Sequence, residues 1–350
     1  MGEKIVIGMS GGVDSSVAAA VLKQQGYDVV GLTMQLLGGG NSAEAEDAAR
    51  VAERLGIEHY VCDFKEDFSR IVIDYFVNEY KQARTPNPCI VCNKNMKFGL
   101  MLKWANAHGA KYIATGHYAK VEYDGVRGRF LLKRALSDRK DQTYALYTLS
   151  QRQLEAVVMP LGCLGDKTEV RKIAAELQLS TAGKSDSQEI CFIPDNDYVS
   201  FIKRHTGYEP PPGNFVDESG NILGRHSGII NYTIGQRKGL GIAFGRPMFV
   251  TKINAGTNEI TLGESGSEFS GRLTAEKLNF ISIDEFTEPF RALAKIRYSA
   301  RPALCIVSPM HDGRAEVVFD EPQRAVTPGQ AVVFYETDSD IVIGGGTIIN

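Results

Sequence analysis

The sequence predicts an α/β domain built on a parallel sheet, followed by a small central β-rich domain and a C-terminal β-barrel. Three observations predict it. Strand-like and helix-like periods alternate from the N-terminus to about residue 115. At Pro210-Pro211-Pro212-Gly213 the composition changes: Gly, Asn and Pro rise and long helical patterns vanish. From Leu273 onward, short β runs follow one another in a number that suits a small barrel. The boundaries read as 1–205, 206–270 and 271–350, and 350 residues is too long for one ordinary core.

Taken in order, residues 4–9 read as a strand and about 14–25 as a helix, ended at Gly26 by a left-handed turn. Residues 28–34 are a second strand, 38–42 a loop, 44–55 a helix stopped at Gly56, and 59–63 a third strand. Residues 67–83 carry apolar side chains at helical spacing. Pro86 and Pro88 exclude a continuous helix through 85–88, so a helix is expected to resume near Lys94 and run to about His108. Residues 111–115 form the next strand. A hairpin follows around Asp124-Gly125, then helices at about 150–158, 168–179 and 197–205. Beyond it, β runs are expected at 228–233, 248–253 and 259–262, and in the last domain at 291–298, 303–308, 315–319, 331–335 and 341–349.

Apolar content of 43% and charged content of 23% are those of a soluble globular chain. No apolar run approaches membrane-spanning length, and residues 1–4 lead into a strand without a secretory pattern. The protein is therefore expected to be cytoplasmic, with its six cysteines as thiols or ligands rather than structural disulfides. The net charge of −3 gives no hint of nucleic acid, but local charge does. Residues 81–103 hold five Lys/Arg and no acid, and 125–140 hold six against Asp138. Residues 225–246 and 291–301 hold four each, without an acid. Any single run reads as a solvated face; four in an acidic chain point to an RNA-binding face.

The most informative stretch is Ser10-Gly11-Gly12-Val13-Asp14-Ser15-Ser16, between the first strand and first helix. Glycines let backbone N–H groups approach an anion, and a helix N-terminus favours negative charge. Ser10, Ser15 and Ser16 add hydroxyls. There is no Gly-Lys-Ser/Thr and no G-x-G-x-x-G here, so neither a Walker A loop nor a dinucleotide fold is indicated. The stretch resembles the SGGxDS loop of the PP-loop ATP pyrophosphatases, whose members split ATP into AMP and pyrophosphate. Ligands bind at the C-terminal ends of strands in open α/β sheets, and the Ser10 loop, Met34 and Gly116-His117 all sit at such ends.

Pro86-Asn87-Pro88-Cys89-Ile90-Val91-Cys92-Asn93-Lys94 is the second informative segment. A loop-to-helix junction with Lys94 and Lys97 nearby should favour the Cys92 thiolate. The Cys-x-x-Cys also reads as half a zinc site, but no partner Cys-x-x-Cys or His-x-x-x-His appears. A thioredoxin-like pair is not expected after Pro-Asn-Pro. Cys191, in Gln188-Glu189-Ile190-Cys191-Phe192-Ile193-Pro194, becomes a candidate second thiol beside an ATP loop and Cys92. Cys62, Cys163 and Cys305 sit in apolar settings and read as core.

Gly8-Met9-Ser10-Gly11-Gly12-Val13-Asp14-Ser15, Thr85-Pro86-Asn87-Pro88, Cys92-Asn93, Lys97-Phe98 and Ala114-Thr115-Gly116-His117-Tyr118-Ala119 follow in order. So do Lys140-Asp141-Gln142, Ser187-Gln188-Glu189-Ile190-Cys191-Phe192 and Gly235-Gln236-Arg237-Lys238-Gly239. Together, over nearly the whole chain, they resemble the bacterial tRNA-specific 2-thiouridylase family. The resemblance implies a PP-loop (adenine nucleotide alpha hydrolase-like) catalytic domain, a small central domain and a tRNA-contacting barrel. It implies adenylation by ATP with Mg2+ of O2 of the wobble uridine in tRNAs for Lys, Glu and Gln. Sulfur would then arrive as a persulfide from a cysteine desulfurase or a relay protein. It implies Cys92 as nucleophile, Cys191 as persulfide carrier, and a transient disulfide between them. Residues 8–15 with Met34 and Gly116 would hold ATP, and Asn87, Pro88 and Cys89 would face the target base. His117, Lys140, Asp141, Gln142, Arg297, Tyr298 and Gln330 would contact tRNA.

There is one departure: many members carry Asp where this chain has Cys89. Cys89, Cys92 and Cys191 would suffice to hold a [4Fe–4S] cluster with one open iron, a second route to the same thiolation. Other PP-loop enzymes, such as nucleotide amidotransferases or argininosuccinate synthase, have no use for Cys92 and Cys191. A non-enzymatic RNA-binding or sulfur-carrier protein is the remaining rival, distinguished by releasing no pyrophosphate.

Overall fold

The computed structural model describes residues 2–38, 43–184 and 190–350. The first domain runs β1 (Lys4–Gly8), α1 (Val13–Gln24), β2 (Asp28–Gln35), α2 (Ala43–Leu55) and β3 (Glu58–Asp63). Two long helices follow: α3 over 65–81, π-helical through Ser69–Ile73, and α4 over 88–107, π-helical through Asn93–Leu100. Then come β4 (Tyr112–Ala114), the hairpin β5 (Ala119–Asp124) and β6 (Arg129–Arg134), α5 (Gln151–Glu155), β7 (Val157–Val158), α6 (Lys167–Glu176) and α7 (Tyr198–Thr206).

The sheet order is β3-β2-β1-β4-β7, with every pair parallel. The central strand carries Ile5, Val6 and Ile7, all fully buried, because helices cover both faces. The chain steps from β1 to β2 and β3 on one side and returns to β4 on the other. The order therefore reverses between β1 and β4, and the crevice beyond their C-terminal ends is where such sheets bind ligands. Two layers flank the sheet. Val17, Ala18 and Leu22 of α1, Ala48 and Val51 of α2 and Val170 and Ala174 of α6 share one apolar cluster. Ile90, Phe98, Met101, Leu102 and Ala105 of α4 lie in another.

The central unit is a four-stranded sheet of β8 (Gly213–Val216), β9 (Ile222–His226), β10 (Met248–Asn254) and β11 (Glu259–Glu264), in the order β10-β11-β8-β9. A closed six-stranded barrel follows: β12 (Phe269–Phe280), β13 (Phe290–Lys295), β14 (Ala303–Pro309), β15 (Ala315–Arg324), β16 (Ala331–Tyr335) and β17 (Val342–Ile348). The units share their cores. Ile281, Ala331, Val333, Tyr335 and Val342 of the barrel pack in the α4 cluster. Phe215 and Val250 of the central sheet and Ile229 beside it pack with Phe68 and Phe76 of α3 and with Phe192.

Several elements differ from the sequence expectation. The fourth helix starts at Pro88, six residues before Lys94, because Pro is tolerated at the first helical position and Asn87 caps it. Residues 157–158, expected at a helix end, form the fifth strand of the sheet. The expected strand at 228–233 is a single helical turn, Ile229–Asn231, after Gly228 at φ 117°. β8 and β9 were not expected: they are short and lie in a Gly/Pro-rich stretch. The expected loop at 38–42 falls largely outside the described residues, as does 185–189 before Cys191.

Candidate active site

The loop between β1 and α1 is built for an anion. Gly11 takes φ 68°, and a Cβ there would fall 2.3 Å from the Glu44 carbonyl, so only glycine fits. Helix α1 has no side-chain cap at Gly12, leaving its first N–H groups to the crevice. Ser10 and Ser15 hydroxyls lie 3.3 Å apart, and Ser15 also accepts from the Ser10 N–H. Ser16 is buried and donates to the Gly12 carbonyl at 2.8 Å, so its hydroxyl is spent inside the helix and is not a crevice donor as the sequence suggested. Gly116 closes the other wall: a Cβ there would meet the Ser15 backbone nitrogen at 2.8 Å. Met34, next to last in β2, is half-buried, and Thr33 beside it donates to the Met9 carbonyl at 2.8 Å, tying β2 to the loop.

Asp14 accepts from the Tyr118 hydroxyl at 2.7 Å and from the Lys167 ammonium at 2.6 Å. Lys184 donates to the Gly11 carbonyl at 3.0 Å and pairs with Asp47 of α2. The Lys184 hydrogen bond, aided by Arg50, holds the Asp47 carboxyl below the usual carboxylate range against its burial. Sequence reading missed Lys167, Lys184 and Asp47, since no local motif links them to residues 8–15.

The thiols lie on the α4 side. Asn87 accepts from the Cys89 N–H at 3.1 Å, Pro88 is buried at the first helical position, and Cys89 is exposed. Cys92 sits a turn inside the helix and is buried, not at the helix start where the sequence placed it. Burial pushes the Cys92 thiol up, with Lys97 opposing, so the expected low value is not found. Desolvation of the sulfur raises Cys89 likewise, although the residue itself is exposed, with Lys97 opposing. Cys191 is pushed up to about 11 by burial, then by the Cys92 and Cys89 thiols, with Lys97 again opposing. Three sulfurs thus share one small region around one ammonium, although Cys92 and Cys191 are 191 − 92 = 99 positions apart. Phe192 anchors the second segment, its ring 5.7 Å from Phe68, 5.3 Å from Phe76 and 5.2 Å from Phe201. All six cysteines are unpaired; Cys305 is buried, Cys62 half-buried, and Cys163 exposed on the surface turn Pro160–Cys163 rather than in the core.

His117 joins the two halves. It follows Gly116 on the loop wall, hydrogen-bonds Thr115 through Nδ1 at 2.8 Å and packs its ring 5.7 Å from Phe98. Burial, then Lys97, holds its pKa well below the usual histidine value, so the ring is neutral. Asn93 reaches the Ala145 carbonyl at 3.0 Å, while its buried Oδ1 has no partner among the described residues.

The residues expected to meet tRNA divide into two groups. Tyr298 is exposed and within electrostatic reach of Cys89, and Lys140 is half-buried nearby. Asp141 is buried, accepting from Thr143 at 2.6 Å and Ala135 N–H at 3.2 Å, and burial pushes its carboxyl up. Gln142 accepts from Tyr118 N–H at 2.9 Å. Arg297 donates to the Arg324 carbonyl at 3.1 Å and to that of Ala325. Gln330 donates to the Thr85 carbonyl at 2.8 Å, joining the barrel to the segment before Cys89. These four side chains are engaged in holding the fold. The basic runs are also partly neutralised by acids distant in sequence: Arg129 by Asp284, Arg127 by Glu336, Arg291 by Asp320 and Arg246 by Glu264.

Among the described residues no three His, Cys, Asp or Glu side chains are arranged to hold a metal ion. Cys89, Cys92 and Cys191 therefore do not stand as a ready-made ligand set in this structure.

Fold and crevice define a PP-loop nucleotide enzyme carrying two β modules and a thiol cluster. Three family models match in sequence: a tRNA methyl transferase HUP domain over 3–195, a tRNA methyl transferase PRC-barrel domain over 199–264 and an aminomethyltransferase beta-barrel domain over 270–348. The tRNA-specific 2-thiouridylase MnmA of Acetivibrio thermocellus is 55% identical, covering 99% of both chains. Those of Clostridioides difficile and Lachnoclostridium phytofermentans are 54% and 53% identical, over 99% of this chain and 98% and 99% of theirs. The chain belongs to the tRNA-specific 2-thiouridylase family of the PP-loop superfamily.

Proposed function

We infer that the chain is an ATP-dependent sulfurtransferase that converts a tRNA uridine to 2-thiouridine. The observation that carries the chemistry is the convergence of Cys92 and Cys191 around Lys97, joined through His117 to the phosphate loop. Oxygen at C2 of a pyrimidine is a poor leaving group, and adenylation turns it into AMP. The loop 8–15, with Met34 and Gly116, is assigned to ATP, and Mg2+ is expected with it. O2 attacks the α-phosphorus and pyrophosphate departs. The outer sulfur of a Cys191 persulfide attacks C2, and AMP leaves with its bonding pair. The Cys92 thiolate then attacks Sγ of Cys191, breaking the persulfide S–S bond. The thiocarbonyl is released and a Cys92–Cys191 disulfide remains, which an external dithiol reduces.

Both thiols are raised at rest, so Lys97 supplies the charge that supports each thiolate as it forms. The target base must leave its stack, at a cost of roughly a few kcal/mol, which an anticodon loop lowers. Asn87, Pro88, Cys89, Lys140 and Tyr298 are assigned to the approach of that loop, and the wobble uridine of tRNAs for Lys, Glu and Gln to the substrate. A cysteine desulfurase or relay protein is the proposed sulfur donor, and the cytoplasm the proposed compartment. No described helix is long and apolar enough to cross a membrane.

The test is thiolation in vitro with ATP, a desulfurase and tRNA, scoring 2-thiouridine and pyrophosphate for wild type, Cys89→Ser, Cys92→Ser and Cys191→Ser. Loss of thiolation with retained pyrophosphate release in the Cys92 and Cys191 variants is expected. An active Cys191→Ser protein overturns the persulfide assignment.

A further inference from the structure

We propose that Lys167 and Lys184 hold the diphosphate end of the nucleotide, the part that leaves as pyrophosphate; this rests on the ATP reading above. Both ammonium groups reach the loop from far along the chain: Lys167 meets Asp14 across 153 positions and Lys184 meets Gly11 across 173. Lys167 opens α6, whose Asp166 cap fixes the turn by accepting from Thr168 and Glu169 N–H groups at 2.8 and 3.0 Å.

Charge accounting calls for them. The loop's own donors are N–H and hydroxyl groups, yet two carboxylates lie beside it, Asp14 of α1 and Asp47 of α2. A polyphosphate cannot approach two carboxylates without cations to offset them. The Lys167 ammonium, on a side chain only 14% exposed, is held at the loop by Asp14. A compact, mobile ammonium also suits phosphate oxygens, whose positions change as the bond to the α-phosphorus breaks.

Position within the fold says which phosphates. Lys167 opens α6 and Lys184 follows that helix, on the face of the sheet that α1 and α2 cover, whereas Cys89 and Cys92 lie on α4 on the opposite face and Cys191 reaches them from the segment that Phe192 anchors on α3. The α-phosphorus must meet the uridine oxygen on the thiol side. The leaving diphosphate therefore points to the lysine side, where two ammonium groups neutralise the charge that accumulates on it.

The experiment measures equilibrium binding of a non-hydrolysable ATP analogue and of AMP to the full chain, wild type against Lys167→Met, Lys184→Met and Lys184→Arg. Each Met variant should lose about 10- to 100-fold in affinity for the ATP analogue, the range of a charge-assisted hydrogen bond. AMP affinity should stay within about threefold, which also reports that the variants are folded. Lys184→Arg, which keeps the charge, should recover most of the loss, and inhibition by inorganic pyrophosphate should weaken in step with ATP affinity. Equal losses for ATP and AMP would mean that the lysines only support the loop, and would overturn the assignment. Variants that bind both like wild type would also overturn it. Wild-type protein that binds no ATP would overturn the ATP reading and take this assignment with it.

Discussion

Cys191 should be slow to react at neutral pH although the residue is exposed. Its thiol is pushed from the ordinary 9.0 to about 11, first by burial and then by the neighbouring Cys92 and Cys89. At pH 8 a thiol at 9.0 is about one-tenth ionised and one at about 11 about one-thousandth, a roughly 100-fold loss of thiolate. Each remaining thiolate is about 6- to 10-fold more nucleophilic, because attack on a disulfide rises with thiol pKa. The net expectation is reaction about 10- to 15-fold slower than an unstructured cysteine peptide at pH 8. By pH 10 the ionisation gap falls to about tenfold and the two rates should nearly meet. The assay is time-resolved labelling with an aromatic disulfide, read at the Cys191 peptide by mass spectrometry from pH 7 to 10. Lys97→Met should slow Cys191 further, since that ammonium opposes the rise. If Cys191 matches the peptide at pH 8, or its rate is flat between pH 8 and 10, the thiol is not held protonated by its surroundings.

Three further outcomes follow from the geometry. Gly116→Ala places a Cβ 2.8 Å from the Ser15 backbone nitrogen and 2.9 Å from the Asp14 carbonyl carbon, so the helix start must shift. It should cost about 1–3 kcal/mol in urea unfolding and raise KM for ATP; unchanged values for both would refute the tight approach. Gln330→Ala removes the bond to the Thr85 carbonyl and should cost about 1 kcal/mol of stability, with a faster-exchanging Thr85–Cys89 backbone by hydrogen exchange. His117 is depressed below its unfolded 6.5, so folding disfavours its protonated form: its contribution is complete above pH 6.5 and lost as pH falls below that value. Wild type should therefore lose up to about 1.4 kcal/mol per pH unit below 6.5 that His117→Gln does not lose, measured as paired denaturation curves at pH 7.5 and 5.5.

Much of the site was legible because its chemistry is local. Ser10-Gly11-Gly12 must be a glycine turn between strand and helix wherever it lies in the fold, and Gly11 at φ 68° with its close approach to Glu44 bears that out. Alternating periods likewise made the parallel sheet readable, since 2.0- and 3.6-residue repeats are properties of a segment alone. The thiol environment was not legible. Cys92 read as an activated thiol because the helix was expected to begin at Lys94; with Pro88 at its first position, Cys92 lies a turn inside and burial outweighs Lys97. The basic runs pointed to RNA, in keeping with the family, but which of their cations are paired was not legible: Asp284, Glu336 and Asp320 meet Arg129, Arg127 and Arg291 from more than twenty residues away.

The sequence by itself determined the phosphate loop, the order of the domains and the pair of cysteines, because each is written in contiguous residues whose conformation is set by local backbone chemistry. Only the tertiary structure decided what surrounds them. It brought Lys167 and Lys184 to the loop, set His117 beside Gly116 and against Phe98 of the helix that carries Cys92, and let the barrel hold Thr85 through Gln330. Charge, burial and reach act through space, and sequence separation carries no record of that distance.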